Sequence, residues 1–274
     1  MSTLELREIA RREEGRQARA LAEAAEFALP IAGGTVGRGV PGLWHNYAVG
    51  LGLAGPVADA DLDAAIAFHA DHGVEPRIEL CPFAHDSLLA GLAKRGFVLR
   101  LFEMTFFRAL DPECPVQPVF TPPADLRVEI VNAADPAAVR EFARTAIAGF
   151  LPPEQAITDD MIESASRNVR HPRSVAVVGR LDGQTIAAGA MEVAGESCAL
   201  FGLSVAPAFR RRGIQQAMLA WRLNHAASRG CRFACIGGKP GEGTERNVRR
   251  MGFTLAYTKV HLVKPGPGLT PMQG

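Results

Sequence analysis

The sequence has 274 residues, 47% of them hydrophobic and 22% charged, which is the balance of an ordinary globular protein. Thirty Lys and Arg residues against 29 Asp and Glu residues leave a formal net charge of +1, so composition argues against a nucleic-acid or membrane-surface partner. The first residues lack the pattern of a signal peptide, and no apolar run approaches the ~20 residues of a membrane span. The odd cysteine count, five, favours reduced thiols over disulfides or a zinc site. We therefore expect a cytoplasmic protein with no metal.

The first half predicts helices and strands in alternation. Apolar spacing and Gly or Pro breaks predict a helix over Thr3–Leu29, a strand over Trp44–Leu53, a helix over Asp59–His72, a strand over Arg77–Leu80, a helix over Asp86–Arg95 and a strand over Phe97–Leu110. Five prolines between Asp111 and Asp125 then indicate a linker. We place an N-terminal domain at residues 1–113, the linker at 114–125 and a second domain at 126–274.

The second half predicts an α+β domain. Its elements are a strand over Leu126–Val131, helices over Asp135–Phe150 and Thr158–Asn168, a hairpin of Ser174–Arg180 with Thr185–Val193, a strand over Cys198–Val205, a helix over Gly213–Arg229, a strand over Phe233–Gly237, a helix over Thr244–Met251 and a strand over Phe253–Val263.

The two halves share a pattern of strand, helix, strand and helix. The interval from Gly73 to Phe97 nearly equals that from Gly230 to Phe253. The preceding interval is longer in the second half, where a basic turn is inserted. The pattern predicts a duplicated scaffold in which only the second copy carries the basic turn.

That turn follows an apolar strand and precedes an amphipathic helix. Its sequence is Val205-Ala206-Pro207-Ala208-Phe209-Arg210-Arg211-Arg212-Gly213. A helix start offers unpaired N–H groups and a positive dipole end, the arginines add cationic donors, and a glycine lets an anion approach the backbone. The residues alone fit a phosphate site or a solvated basic turn.

The order Arg210-x-x-Gly213-x-Gln215 after Val-x-Pro resembles the pyrophosphate loop of the GNAT N-acetyltransferase superfamily, although Gln215 stands where Gly or Ala is usual. The later Asn247 and Gly252-Phe253 resemble its second cofactor segment. The resemblance implies a GNAT-type mixed sheet flanked by helices, in tandem form, with acetyl-CoA or another acyl-CoA as cofactor. It implies that the backbone of Leu203 and Val205 pairs with pantetheine. The remaining implied cofactor contacts are Arg210, Arg211, Arg212, Gly213, Ile214, Gln215, Asn247 and Arg249.

The resemblance leaves the catalytic groups open. The backbone N–H near Val205 is the candidate oxyanion donor. Val248 occupies the position where relatives often carry a tyrosine acid, so Tyr257 is a candidate substitute, against a buried core role. Glu192 is a candidate proton relay, against a solvated carboxylate, and Ser204 lines either the site or the core.

Three functions follow as hypotheses. The first is an N-acetyltransferase acting on a small-molecule or peptide amine, as a monomer or homodimer; the second is a non-catalytic acyl-CoA sensor; the third, disfavoured by charge, is a nucleic-acid module. In the first half, Trp44, His45, Asn46 and Tyr47 form a candidate acceptor cluster, against simple packing. His69 and His72 are interpreted as a solvated helix face rather than metal ligands.

Overall fold

The structure, a computed structural model, describes residues 6–43, 45–152 and 154–271. Within these ranges helices and strands alternate as an α+β protein. The helices are α1 (Leu6–Ala24), α2 (Asp59–Asp71), α3 (Asp86–Lys94), α4 (Pro136–Ala148), α5 (Asp159–Arg170), α6 (Ile214–Ser228) and α7 (Gly243–Arg250). The strands are β1 (Phe27–Ile31), β2 (Gly34–Arg38), β3 (Tyr47–Val49), β4 (Arg77–Leu80), β5 (Val98–Ala109), β6 (Arg127–Ile130), β7 (Ser174–Leu181), β8 (Gln184–Ala194), β9 (Ser197–Val205), β10 (Phe233–Gly238) and β11 (Thr254–Val263).

Local signals explain several of these boundaries. The Asp135 side chain accepts a hydrogen bond from Ala137 N before α4, and Thr158 accepts one from Met161 N before α5, which satisfies backbone donors that a helix start leaves unpaired. Asp182 and Gly183 both have positive φ and form the predicted turn of the β7–β8 hairpin. The sequence-based elements of the second half are therefore confirmed.

One hairpin was not predicted. The expected helix over Thr3–Leu29 ends at Ala24, and β1 pairs with β2 around Ala32 and Gly33. The start of that predicted helix lies outside the described residues. A Cβ on Gly37 would lie 2.5 Å from Leu21 Cδ1, so a glycine there allows α1 to pack closely on β2.

The chain divides into two units that differ from the predicted domains. The first unit comprises Met1–Thr105 and Leu255–Gly274, and the second comprises Phe106–Thr254. In the first unit the strand order is β1-β2-β3-β4-β11-β5, and β11 is antiparallel to β4 over Val260–Val263. The last strand thus leaves the predicted 126–274 domain because its hydrogen-bonding partner is β4.

The second unit has the strand order β10-β9-β8-β7-β6. Alternate residues of a strand point to opposite faces, so Ala176 and Val178 pack under α4 with Phe142, whereas Val177 packs under α6 with Met218. Each fully buried aliphatic side chain contributes about 1.5–3 kcal/mol. This double burial holds β8, β9 and the start of α6 in fixed positions.

Candidate functional site

Strands β9 and β10 separate where the sequence predicts cofactor contacts. They pair in parallel from Phe233↔Ser197 to Ile236↔Leu200, whereas β9 continues to Val205 and β10 to Gly238. Among the described residues, the edge of β9 beyond Leu200 therefore has no strand partner on the β10 side. An unpaired edge offers N–H and C=O groups to a ligand that runs alongside it.

The same part of β9 contains a bulge. The β8–β9 register shifts between Ala188 and Ala190, and Gly202 has a φ of 62°, a conformation that glycine adopts without steric cost. A bulge bends a strand and redirects its neighbours. Here it redirects Leu203 and the residues after it.

A buried arginine holds the bulge from the α6 side. Arg222 has an exposed fraction of 0%, and its Nη1 donates to Ala190 O at 2.7 Å and to Phe201 O at 3.3 Å. Its Nη2 has no hydrogen-bond partner within the described part of the chain. Burial lowers the pKa of Arg222 to about 10, so the side chain stays cationic at neutral pH. Burying a charged group costs free energy unless it is hydrogen-bonded. The burial of Arg222 therefore indicates that its hydrogen bonds to the carbonyls at the bulge are important for the fold.

A cavity of about 470 Å³ opens beside β9 and the start of α6, a size typical of ligand sites. Its walls come from β9, from the basic turn, from the first turn of α6 and from α7. The predicted residues among its lining are Leu203, Ser204, Val205, Arg210, Arg211, Gly213, Ile214, Gln215 and Asn247, and the others are Gly149, Phe209, Gln216, Gly243 and Thr244.

The basic turn delivers two arginines to this cavity. Arg210 Nε donates to Val205 O at 3.0 Å, which ties the turn to the end of β9. Arg211 has a φ of 62°, an uncommon conformation for a residue with a side chain. Helix α6 starts directly after Gly213, so its first turn and both arginine residues border the same space.

The structure shows a second reason for a glycine at position 213. Its φ is 75°, and a Cβ there would lie 3.0 Å from Phe120 O and 3.2 Å from Thr121 O. Both carbonyls belong to the predicted linker. The glycine therefore accommodates the linker backbone, a role separate from any access it gives to an anion.

Gln215 and Asn247 meet in the cavity wall. Asn247 Nδ2 donates to Gln215 Oε1 at 2.5 Å, joining the first turn of α6 to α7. The glutamine that departs from the usual Gly or Ala thus has a partner on the second predicted cofactor segment.

Two predicted cofactor residues do not line this cavity. The Arg212 guanidinium lies 5.7 Å from the centre of the Phe209 ring. Arg249 Nε pairs with Glu245 Oε1 at 3.0 Å along α7. Both arginines therefore make local contacts within their own turn or helix. Neither is included among the proposed cofactor ligands.

The candidate proton carriers occupy other environments. The Ser204 hydroxyl lines the cavity but donates to Thr145 O at 2.6 Å. Glu192 is 4% exposed and paired with Arg173 at 2.9 Å, which corrects its reading as a solvated carboxylate. Tyr257, 4% exposed in the first unit, donates to Glu14 Oε1 at 2.7 Å. Neither Glu192 nor Tyr257 is among the lining residues, and we carry neither into the proposed chemistry.

Tyr257 belongs to a buried ionic cluster of the first unit. Lys259 Nζ lies 2.7 Å from Glu79 Oε2 and 3.4 Å from Glu14 Oε1. Burial raises the pKa of Glu14, even though Lys259 opposes that shift. Burial alone lowers the pKa of Lys259, but Glu14, Glu79 and Glu103 together raise it well above its usual value. The cluster is a buried charge network.

Ligand atoms of Glu79, Glu103 and His261 lie within 4.8 Å of one another, close enough for a metal ion. The Arg77 guanidinium, however, contacts both Glu79 and His261, and Lys259 contacts Glu79. Two protein cations therefore already occupy Glu79, and Arg77 also lies against His261, so the site does not fit a metal.

Two polar residues singled out in the first half, Asn46 and His69, have structural roles. Asn46 is buried, and its side chain binds Val40 O, Leu43 O and Gly39 N. His69 is fully buried rather than solvated, with Nε2 3.2 Å from Gly37 O. Trp44 lies outside the described residues.

Comparisons with known proteins agree with this geometry. Residues 139–253 match the model of the acetyltransferase (GNAT) family. Among solved structures, a GCN5-related N-acetyltransferase from Kribbella flavida has a TM-score of 0.70 and 21% identity, covering 95% of this chain and 97% of that one. A tandem GNAT protein from the clavulanic acid biosynthesis pathway has a TM-score of 0.61 and 12% identity, covering 91% and 88% of the two chains. No curated protein matches the chain.

The family match over residues 139–253 and the shared fold place a GNAT-family domain in the second half of the chain. The chain carries a GNAT-family domain, and its fold is shared with a tandem GNAT protein. Acyl transfer is the general activity of that family. None of the helices in the described ranges is long and apolar enough to cross a membrane.

Proposed function

We propose that this protein is an acyl-CoA-dependent N-acyltransferase that moves an acetyl group from acetyl-CoA to a primary amine of a small molecule or peptide. The observation that carries the proposal is the unpaired edge of β9 ending at a cationic turn and a helix N-terminus. A ligand with a pantetheine arm and a pyrophosphate needs a strand edge and an anion site in this order.

The lining residues fit the two parts of this ligand. The edge from Phe201 to Val205 presents backbone groups to the pantetheine amides, and Arg210, Arg211 and the first N–H groups of α6 hold the pyrophosphate. Bound acyl-CoA supplies the activated thioester. A backbone N–H near Val205 stabilises negative charge on its carbonyl oxygen, and the bulge held by Arg222 fixes that backbone.

Only one such site is proposed for each chain. The corresponding helix of the first half, α2, begins with Asp59 and Asp61. Asp59 pairs with Arg95 at 2.8 Å, and Asp61 Oδ2 accepts from Ala58 N at 3.4 Å. These carboxylates already neutralise the positive end of the helix and repel a phosphate.

A second candidate function is a non-catalytic acyl-CoA sensor. The chain has two tyrosines, Tyr47 and Tyr257, and both fall in the first unit. Val248, at the usual acid position, is 2% exposed. This arrangement leaves thiolate protonation to water or to an acceptor group, which favours the sensor unless turnover is observed.

Calorimetry and a turnover assay separate these functions. Titration with acetyl-CoA should give a stoichiometry near one per chain. In the turnover assay, the free thiol of CoA should be released only when a suitable amine from a panel is present. Binding without turnover on any amine would favour the sensor. A protein with an acyl-CoA site should be stabilised by about millimolar acetyl-CoA. If no binding is seen at that concentration, both the enzyme and the sensor proposals are refuted.

A further inference from the structure

The linker between β5 and β6 is fastened along helix α6. Val116 N donates to Asn224 Oδ1 at 2.7 Å, and Asn224 Nδ2 donates back to Val116 O at 2.9 Å. Gln216 Oε1 accepts from Val119 N at 3.0 Å and from Phe120 N at 3.2 Å. Gln216 also lines the cavity. The linker backbone at Phe120 is therefore fixed by a residue of the candidate cofactor site.

Phe120 lies at the start of α6. Its carbonyl oxygen is 3.0 Å from the position of a Cβ on Gly213, so its backbone touches the anion turn. Its side chain is nevertheless 51% exposed. A large apolar ring kept at the surface by fixed backbone hydrogen bonds is available to a ligand at that turn.

A cation lies against the same ring. The Arg250 guanidinium carbon is 5.8 Å from the centre of the Phe120 ring, within cation–π range. Arg250 follows Asn247 by three residues on α7, so both side chains lie on neighbouring parts of one helix face. The Phe120–Arg250 pair does not itself line the cavity, but Phe120 is hydrogen-bonded to the lining residue Gln216 and Arg250 lies one helical turn after the lining residue Asn247.

An exposed aromatic ring with a guanidinium group, beside a phosphate turn, has the chemistry of a nucleobase site. Flat bases stack on aromatic rings and on guanidinium planes, with little dependence on their hydrogen-bonding edges. We propose that Phe120 and Arg250 form a purine-stacking subsite that holds the adenine of acyl-CoA. This inference rests on the proposed acyl-CoA function, and it makes the linker part of the cofactor site.

Removal of the ring tests the subsite with two ligands. Acetyl-CoA carries the adenosine end, whereas S-acetyl-4′-phosphopantetheine retains the acyl arm and lacks the adenosine. We expect Phe120→Leu and Phe120→Ala to raise the Kd for acetyl-CoA about tenfold. A change of that size lies within the range of binding energies lost when one base–aromatic stack is removed. The Kd for the truncated ligand should change less than about twofold, within the noise of such measurements. Phe120→Tyr should retain wild-type affinity for both.

Val119→Ala is the matched control, because Val119 is the neighbouring residue, is 57% exposed and shares the same backbone contact with Gln216. It should leave both Kd values unchanged. Arg250→Gln should weaken acetyl-CoA binding in the same selective manner as Phe120→Leu. The melting temperature of each variant without ligand should equal that of the wild type, since the ring is at the surface.

Equal loss of both ligands in Phe120→Leu, or no loss of either, would overturn the subsite while leaving the acyl-CoA site in place. A wild-type protein that binds neither ligand would instead refute the proposed function, and the subsite with it. A drop in the unliganded melting temperature with an unchanged ratio of the two Kd values would assign the ring to linker packing.

Discussion

Asn247 Nδ2 and Gln215 Oε1, 2.5 Å apart, close a hydrogen bond between α7 and the first turn of α6. Gln215 borders the cavity close to the free N–H groups of the helix. An acid at this position would keep the acceptor for Asn247 and place a negative charge where we propose a pyrophosphate.

We therefore expect Gln215→Glu to raise the Kd for acetyl-CoA by about tenfold or more, since like charges a few ångströms apart near a protein surface repel by more than about 1 kcal/mol. The loss should shrink at high salt, because salt screens the repulsion. Gln215→Ala is the neutral control. Equal affinity in the Glu and Ala variants would place the phosphates elsewhere.

The two neighbouring arginines of the turn should differ in their effect on binding. Arg211 lines the cavity, whereas Arg212 lies against Phe209. Arg211→Ala should weaken acetyl-CoA binding by about 1–3 kcal/mol for a lost charge-assisted contact, and Arg212→Ala should weaken it by less than about 0.5 kcal/mol. Calorimetry on both variants checks this order. The reverse order would mean that the turn presents its other face to the ligand.

Arg222 should contribute to stability through the carbonyls at the bulge. Arg222→Met fills similar space but leaves Ala190 O and Phe201 O without this donor. We expect the free energy of unfolding to fall by about 1–3 kcal/mol, the cost of leaving a buried acceptor unpaired. Arg229→Met, at the exposed C-cap of the same helix, should change it by less than about 0.5 kcal/mol. Urea unfolding that shows equal stability for the two variants would contradict the proposed role of Arg222.

His69 predicts a pH dependence of stability. Burial, assisted by His72, lowers the pKa of His69 from 6.5 to about 4, and its Nδ1 has no partner within the described residues. The neutral ring is therefore favoured in the folded state. The contribution of neutral His69 to the free energy of unfolding is complete above about pH 6.5 and is lost as the pH falls toward about 4. The reason is that the histidine of the unfolded chain binds a proton at a higher pH than that of the folded chain.

The loss from this group should be about 3 kcal/mol at most, from 1.36 kcal/mol per pKa unit. Urea unfolding of the wild type and of His69→Gln at several pH values isolates it, since other groups titrate in both proteins. The stability difference between them should narrow or reverse on acidification. A difference that is constant with pH would mean that His69 titrates normally in the folded protein.

The turn and the local elements were predictable because their signals are local. Arg210, Gly213 and the following helix form one short segment, and every strand of the second half has its own apolar pattern. The β1–β2 hairpin escaped prediction because glycines such as Gly37 resemble chain breakers, and only the contact with Leu21 explains them. The environment of Tyr257 was beyond the sequence for another reason. Its partner Glu14 is 243 positions away, and no local pattern encodes such a pairing.

Because the last strand, β11, belongs to the first unit, the two units can fold in an order that differs from their order in the sequence. Strand β11 completes the first unit next to β4, and its Lys259 neutralises Glu14 and Glu79. During synthesis these carboxylates emerge long before their cation, whereas every strand of the order β10-β9-β8-β7-β6 emerges before β11. The second unit is thus free to fold before the first, although most of it comes later in the sequence, because the first unit must wait until β11 has been synthesised. Cutting the gene at the linker would separate the first unit from its closing strand and leave a buried carboxylate pair without its lysine.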